Sequence, residues 1–102
     1  MGLRDPLSAE EVEQRLTLNG WSGDTTQISK TYTVGYDIAM QIVAEIAPVA
    51  IEMEHRPDIN IRWDTLHIFM TTHTAGDVVT ALDFLLAERI DHIAQCHGAH
   101  EA

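Results

Sequence analysis

The chain has 102 residues, enough for one hydrophobic core and so for one domain spanning 1–102. Its 45% hydrophobic and 22% charged residues belong to a globular protein and exclude wholesale disorder or a low-complexity polymer. Sixteen Asp+Glu against six Lys+Arg leave a formal net charge of −10, which repels phosphate backbones and argues against nucleic-acid binding through a basic surface. Taken in chain order, the first element opens at Ser8. Ser8 with Glu11 three residues on is a capping box, Val12 and Leu16 recur at helical spacing, and Asn19-Gly20 ends the segment. A short strand is expected around Trp21, with a hairpin turn at Gly23-Asp24. Ile28, Lys30, Tyr32 and Val34 then alternate with Ser29, Thr31 and Thr33, the period of a half-buried strand.

From Tyr36 to Met53, apolar residues at three- and four-residue steps predict a helix. Ile38, Ile42, Ile46, Val49 and Met53 form one face, but Ala39, Met40, Val43, Ala44, Ala47 and Ala50 fill most of the rest. Such a helix is buried deeply or shared with another subunit, and Pro48 is expected to kink it or interrupt its hydrogen bonds. Glu54-His55-Arg56-Pro57-Asp58 reads as a charged loop. Alternating residues 59–63 and 66–71 predict two strands, joined by a turn at Asp64-Thr65 or running on as one bent strand. A loop follows at Thr74–Asp77, and Thr80 with Asp83 opens a last helix whose apolar face is Leu82, Leu85, Leu86, Ile90 and Ile93. The tail from Cys96 is expected to be short and frayed. The order α-β-β-α-β-β-α predicts an α+β fold, a four-stranded antiparallel sheet with helices packed on one face.

No glycine-rich phosphate loop, nucleophile elbow or cysteine pair is present. The chain has no apolar run long enough to span a bilayer and no signal-peptide core at its start; Cys96 stands alone. These features lead to the expectation of a cytoplasmic protein with no membrane association. Six histidines remain as candidates for chemistry. Glu88 and His92 are two metal-ligand types at i, i+4, too few for a zinc site, so they read as an exposed helical pair. His67 reads as a sheet-face residue, and His97 and His100 as tail residues that nothing holds. His55 and His73 differ, because each stands where a regular element meets a loop, and imidazole gives or takes a proton near neutral pH.

Their spacing carries a resemblance. His55-Arg56-Pro57, then Trp63, then Thr72-His73, then Asp83 near the start of a helix resembles the pterin-4a-carbinolamine dehydratases. That family's signature is a His-His-Pro loop, an aromatic residue in the next strand, a Thr-His pair at the end of the following strand, and an acidic residue opening the last helix. Leu18-Asn19-Gly20-Trp21 is similar to the family's first strand region, and the likeness extends from about Leu7 to Ile93. Two positions depart: Arg56 stands for the second loop histidine, and Ile51 for an upstream acid.

The resemblance implies a hydro-lyase that dehydrates 4a-hydroxytetrahydropterins in pterin recycling, with neither metal nor cofactor. It implies His55 and His73 as the acid/base pair. Around the pterin it implies Arg56, Pro57, Trp63 packed beneath the loop, Thr72, Thr74, Ala75 and Asp83, the last as helix cap or site residue. A homodimer or homotetramer is implied as well. The competing reading is a dehydratase-like binding module without turnover, a dimerisation cofactor or assembly chaperone.

Overall fold

Ser8 caps the first helix in both directions: Glu11 N–H donates to Ser8 Oγ at 3.2 Å, and Ser8 N–H donates to Glu11 Oε1 at 3.2 Å. The helix is α1, Ala9–Asn19, closed by Gly20 in the left-handed conformation (φ 71°) that only glycine adopts without strain. The structure, a computed structural model, describes residues 3–101. After α1 come β1 (Ser22–Gly23), β2 (Ile28–Thr33), α2 (Tyr36–Glu52), β3 (Asp58–Arg62), β4 (Thr65–Met70), a single 3₁₀ turn (His73–Ala75), α3 (Ala81–Cys96) and β5 (His100–Glu101). The α-β-β-α-β-β-α order read from the sequence is the observed one.

All described strand pairings are antiparallel, in the spatial order β1-β2-β4-β3. Alternation decides which face is covered. Leu66, Ile68 and Met70 on β4 are buried, and they pair with Tyr32, Lys30 and Ile28 of β2. Ile59 and Ile61 of β3 stand opposite Ile68 and Leu66 on the same face. This face joins Val12 of α1, Ile42 and Ile46 of α2, and Leu86 and Ile90 of α3 in one core. The opposite face carries Ser29, Thr31, His67 and Phe69; His67 lies against Phe69 with ring centroids 4.1 Å apart.

Several expectations are corrected. Trp21 precedes β1 and is buried, its indole N–H donating to Asp91 on α3 at 3.0 Å. The turn after β1 is longer than Gly23-Asp24: Asp24 accepts from the Thr26 hydroxyl at 2.5 Å and from the Thr26 N–H at 2.8 Å, and these bonds, the hydroxyl's first, hold its carboxyl below the usual range. Pro48, by contrast, does interrupt the hydrogen bonding of α2 as expected, since proline has no N–H to give, and at this exposed position the helix continues past it to Glu52. Leu85 faces outward and is exposed. The tail is not frayed. Gly98 turns the chain with φ 73°, His97 bonds Glu45 on α2, and β5 pairs with Tyr32 and Thr33. His97 and His100 are therefore held residues, and β5 adds a strand to the four that were expected. Among the described residues, no helix is long and apolar enough to cross a membrane.

Candidate active site

The pairing of β3 with β4 brings the two histidines together. Asp58 stands opposite Phe69, so residues just before β3 and just after β4 meet at one end of the sheet. His55 lies three residues before Asp58, and His73 three residues after Met70. Trp63 follows β3 at the hairpin's other end, a strand's length of roughly 17 Å at 3.3 Å per residue from the loop that carries His55. It is 86% exposed, so it does not pack beneath the His55 loop. The turn of this hairpin is Trp63-Asp64, one residue earlier than expected.

The turn that launches His55 is the C-terminal cap of α2. Glu54 adopts φ 53°, its N–H donates to Ile51 O at 3.1 Å, and His55 N–H donates to Ala50 O at 3.0 Å. That is a Schellman-type closure with glutamate where glycine is usual. Asp77 is the other non-glycine residue with positive φ among those described, at 59°, and it bonds His73. One strained position thus precedes a histidine and the other is bonded to one, and the surrounding structure holds both in place.

His55 is 5% exposed and Asp83 is fully buried. The His55 Nε2 to Asp83 Oδ1 distance is 2.5 Å. The other carboxylate oxygen of Asp83 accepts the Thr80 N–H at 2.9 Å and the Thr72 hydroxyl at 2.8 Å. Thr72 has one hydroxyl proton and gives it to Asp83, so across the 2.8 Å contact it is the Thr80 hydroxyl that donates to Thr72. Asp83 thus caps α3 with one oxygen and holds His55 with the other. An ionised carboxylate only accepts, so Nε2 of His55 is the donor in this bond, and in the neutral form of the ring the lone pair falls on Nδ1. No described residue bonds that nitrogen.

His73 is exposed. Its Nδ1 lies 2.6 Å from Asp77 Oδ1, and this bond, ahead of weaker charge effects from Asp77, Asp58 and Asp83, raises its pKa above the ordinary value despite slight desolvation. With Nδ1 donating to Asp77, Nε2 is the nitrogen that carries the second proton when the ring is protonated.

His55, Arg56, His73 and Thr74 line one cavity of about 170 Å³. Glu54, Thr71 and Arg4 complete its wall. Thr72 and Asp83 stand behind His55 rather than in the lining, and Ala75 lies in the turn beyond it. Pro57 lines an adjoining apolar groove of about 270 Å³ with Ile46, Ala50 and Ile59, and Arg56 borders both spaces. The sequence reading missed Thr71 and Arg4. The Thr71 hydroxyl is buried without a partner among the described residues. Strand alternation places Thr71 on the outer face and says nothing of a cavity.

Larger hollows along α1, one of about 340 Å³, are lined by residues such as Val12, Leu16 and Glu13 and contain no histidine. Volume alone does not mark a site; convergent titratable groups do.

Residues 5–93 match the profile of a family described as pterin 4 alpha carbinolamine dehydratase. A protein of Streptomyces avermitilis, provisionally named a pterin-4-alpha-carbinolamine dehydratase, is 41% identical over 97 residues, covering 93% of this chain and 96% of its own. One from Streptomyces coelicolor, named the same way, is 40% identical over 98 residues, covering 94% and 97%. A crystal structure from Brucella melitensis, titled a transcriptional coactivator/pterin dehydratase, shares the fold at a TM-score of 0.81 and 22% identity, covering 88% of this chain and 99% of that one. With the profile spanning nearly the whole fold, from residues just before α1 to the last turns of α3, the chain belongs to the pterin-4a-carbinolamine dehydratase family.

Proposed function

We propose that the protein dehydrates 4a-hydroxytetrahydropterins, with His55 as the base and His73 as the acid. The observation that carries the reading is one cavity lined by both imidazoles, with His55 backed by a buried carboxylate. Hydroxide is a poor leaving group from C4a, so the departing oxygen needs a proton as the C4a–O bond breaks. His73, its pKa raised by Asp77, supplies that proton from Nε2, and water leaves. His55 Nδ1 takes the proton from N5 of the pterin. The N5–H electron pair forms the C4a=N5 double bond, giving quinonoid dihydropterin, and solvent returns His73 to its protonated state and His55 to its neutral one.

Arg56 cannot exchange a proton near neutral pH, and no described residue bonds its guanidinium; in this reading it donates to the pterin carbonyl or stacks on the ring. Thr74 borders the ring, Pro57 holds the loop extended, and Thr72 with Asp83 orients His55. Trp63, at the far end of the hairpin, has no part in the mechanism. The chain works as a dimer or tetramer, which the uncovered apolar side of α2 supports.

Stopped-flow dehydration of synthetic 4a-hydroxytetrahydropterin, in the presence of a chelator, tests the reading. The protein is expected to accelerate the reaction well above buffer. No acceleration would overturn the proposal and leave a binding module built on the family fold.

A further inference from the structure

Residues before α1 cross the start of α3 and are bonded to it. Leu82 N–H donates to Leu3 O at 3.2 Å, Leu7 N–H donates to Val79 O at 3.1 Å, and Pro6 bridges Thr80. This strap therefore lies against the turn that carries Asp83. From it, Arg4 reaches into the cavity wall. One guanidinium nitrogen, Nη2, donates to Glu54 O at 3.1 Å and more weakly to Met53 O at 3.5 Å. The other, Nη1, reaches the Thr74 hydroxyl at 3.4 Å. The two carbonyls belong to the strained turn that launches His55, and Thr74 is the neighbour of His73. One planar cation spans both histidine-bearing loops.

We infer that Arg4 is a positioning residue that sets the separation of His55 and His73. The inference rests on the dehydratase reading and goes beyond it, since Arg4 lies one residue before the stretch that the family profile matches. Its guanidinium keeps its proton near neutral pH, so it acts through the loops and not by proton transfer. His73 is two-thirds exposed and sits in a three-residue turn, so a tie to the His55 loop restricts the one imidazole that packing leaves loose. Misplacing a reacting group by about 1 Å costs as much as 10²-fold in rate. Lysine cannot replace the tie, because a compact ammonium does not reach two carbonyls and a hydroxyl on separate loops at once.

Full-length Arg4→Ala and Arg4→Lys test the inference by steady-state kinetics and by ¹⁵N relaxation dispersion at the amides of Glu54, His55 and residues 73–76. Arg4→Ala is expected to lower kcat about 10- to 100-fold with KM within a few-fold. Arg4→Lys should recover only part of this, and added guanidinium should partly rescue Arg4→Ala. Dispersion should appear in both loops of Arg4→Ala while the thermal transition stays cooperative. If Arg4→Ala melts too low to assay, Arg4→Lys carries the same two readouts. An active wild type whose kcat survives Arg4→Ala within two-fold, or loops that show no new exchange, would overturn the inference. A wild type without turnover would instead end the dehydratase reading, and the relaxation data would still decide whether Arg4 ties the loops.

Discussion

Two oxygens of one carboxylate illustrate how much depends on single residues here. Asp83 was legible from the sequence as a helix cap three residues after Thr80, and its second role was not, because His55 lies 28 positions away. His55 and His73 were legible because both border loops. Arg4 was invisible, since its contacts are 49 to 70 residues distant and leave no local spacing to read. Trp63 shows a related limit: counting residues gives its distance along a strand, and only the hairpin shows that it lies at the end away from the His55 loop and does not pack beneath it. The His73–Asp77 bond gives a pH prediction. Because the pair raises the His73 pKa, the protonated acid should persist above about pH 6.5, and kcat/KM should fall on the alkaline side only beyond that value. Asp77→Asn should move this limb toward lower pH, as a pH–rate profile would show; an unmoved limb would mean another group sets it. Stability follows the same sign. The pair stabilises fully below the unfolded pKa and loses its contribution as pH rises through the raised folded value. Arg56→Ala should raise KM with kcat within a few-fold, the pattern of lost uniform binding. A collapse of kcat at constant KM would assign arginine to the transition state instead.

Among the elements, the β3–β4 hairpin and the start of α3 build the site jointly. The periodicity of both strands was readable, and their antiparallel register then forces residues before β3 against residues after β4. What the pattern could not supply was the turn chemistry, since Glu54 and Asp77 take positive φ without being glycine. The tail was misread because β5 spans only two residues, too short for any alternation. Asp83→Asn probes the junction of the hairpin with α3. Three donors converge on the carboxylate, from His55, Thr72 and Thr80, and an amide offers one acceptor oxygen in its place. The amide NH₂ favours the opposite His55 tautomer, with the proton on Nδ1. The variant should fold with reduced thermal stability and lose roughly 10²-fold or more in kcat. Loss of stability with kcat intact would make Asp83 a cap alone.

Over the whole molecule, α2 divides its apolar residues between two sides. Ile42, Ile46 and Ala50 enter the core, while Tyr36, Met40 and Ile51 remain exposed and, at about 100° per residue, fall within about 60° of one another. This side of the helix is where the proposed dimer or tetramer would form. Sedimentation equilibrium at micromolar concentration should return two or four chain masses, and Met40→Glu with Ile51→Glu should lower that number; a single chain mass for the wild type would contradict the expectation. The same α2 ends in the turn that carries His55, so the core, the cap and the cavity belong to one continuous element. An acid/base pair drawn from two loops of one fold makes its sharpest prediction in a double-mutant cycle. His55→Ala, His73→Ala and the double variant would be compared in kcat/KM for dehydration of a 4a-hydroxytetrahydropterin. Each single variant is predicted to lose on the order of 10²–10⁴, with the double variant little worse than the poorer single one, because the two groups act in one step. Either single variant keeping activity within a few-fold of wild type would contradict the claim.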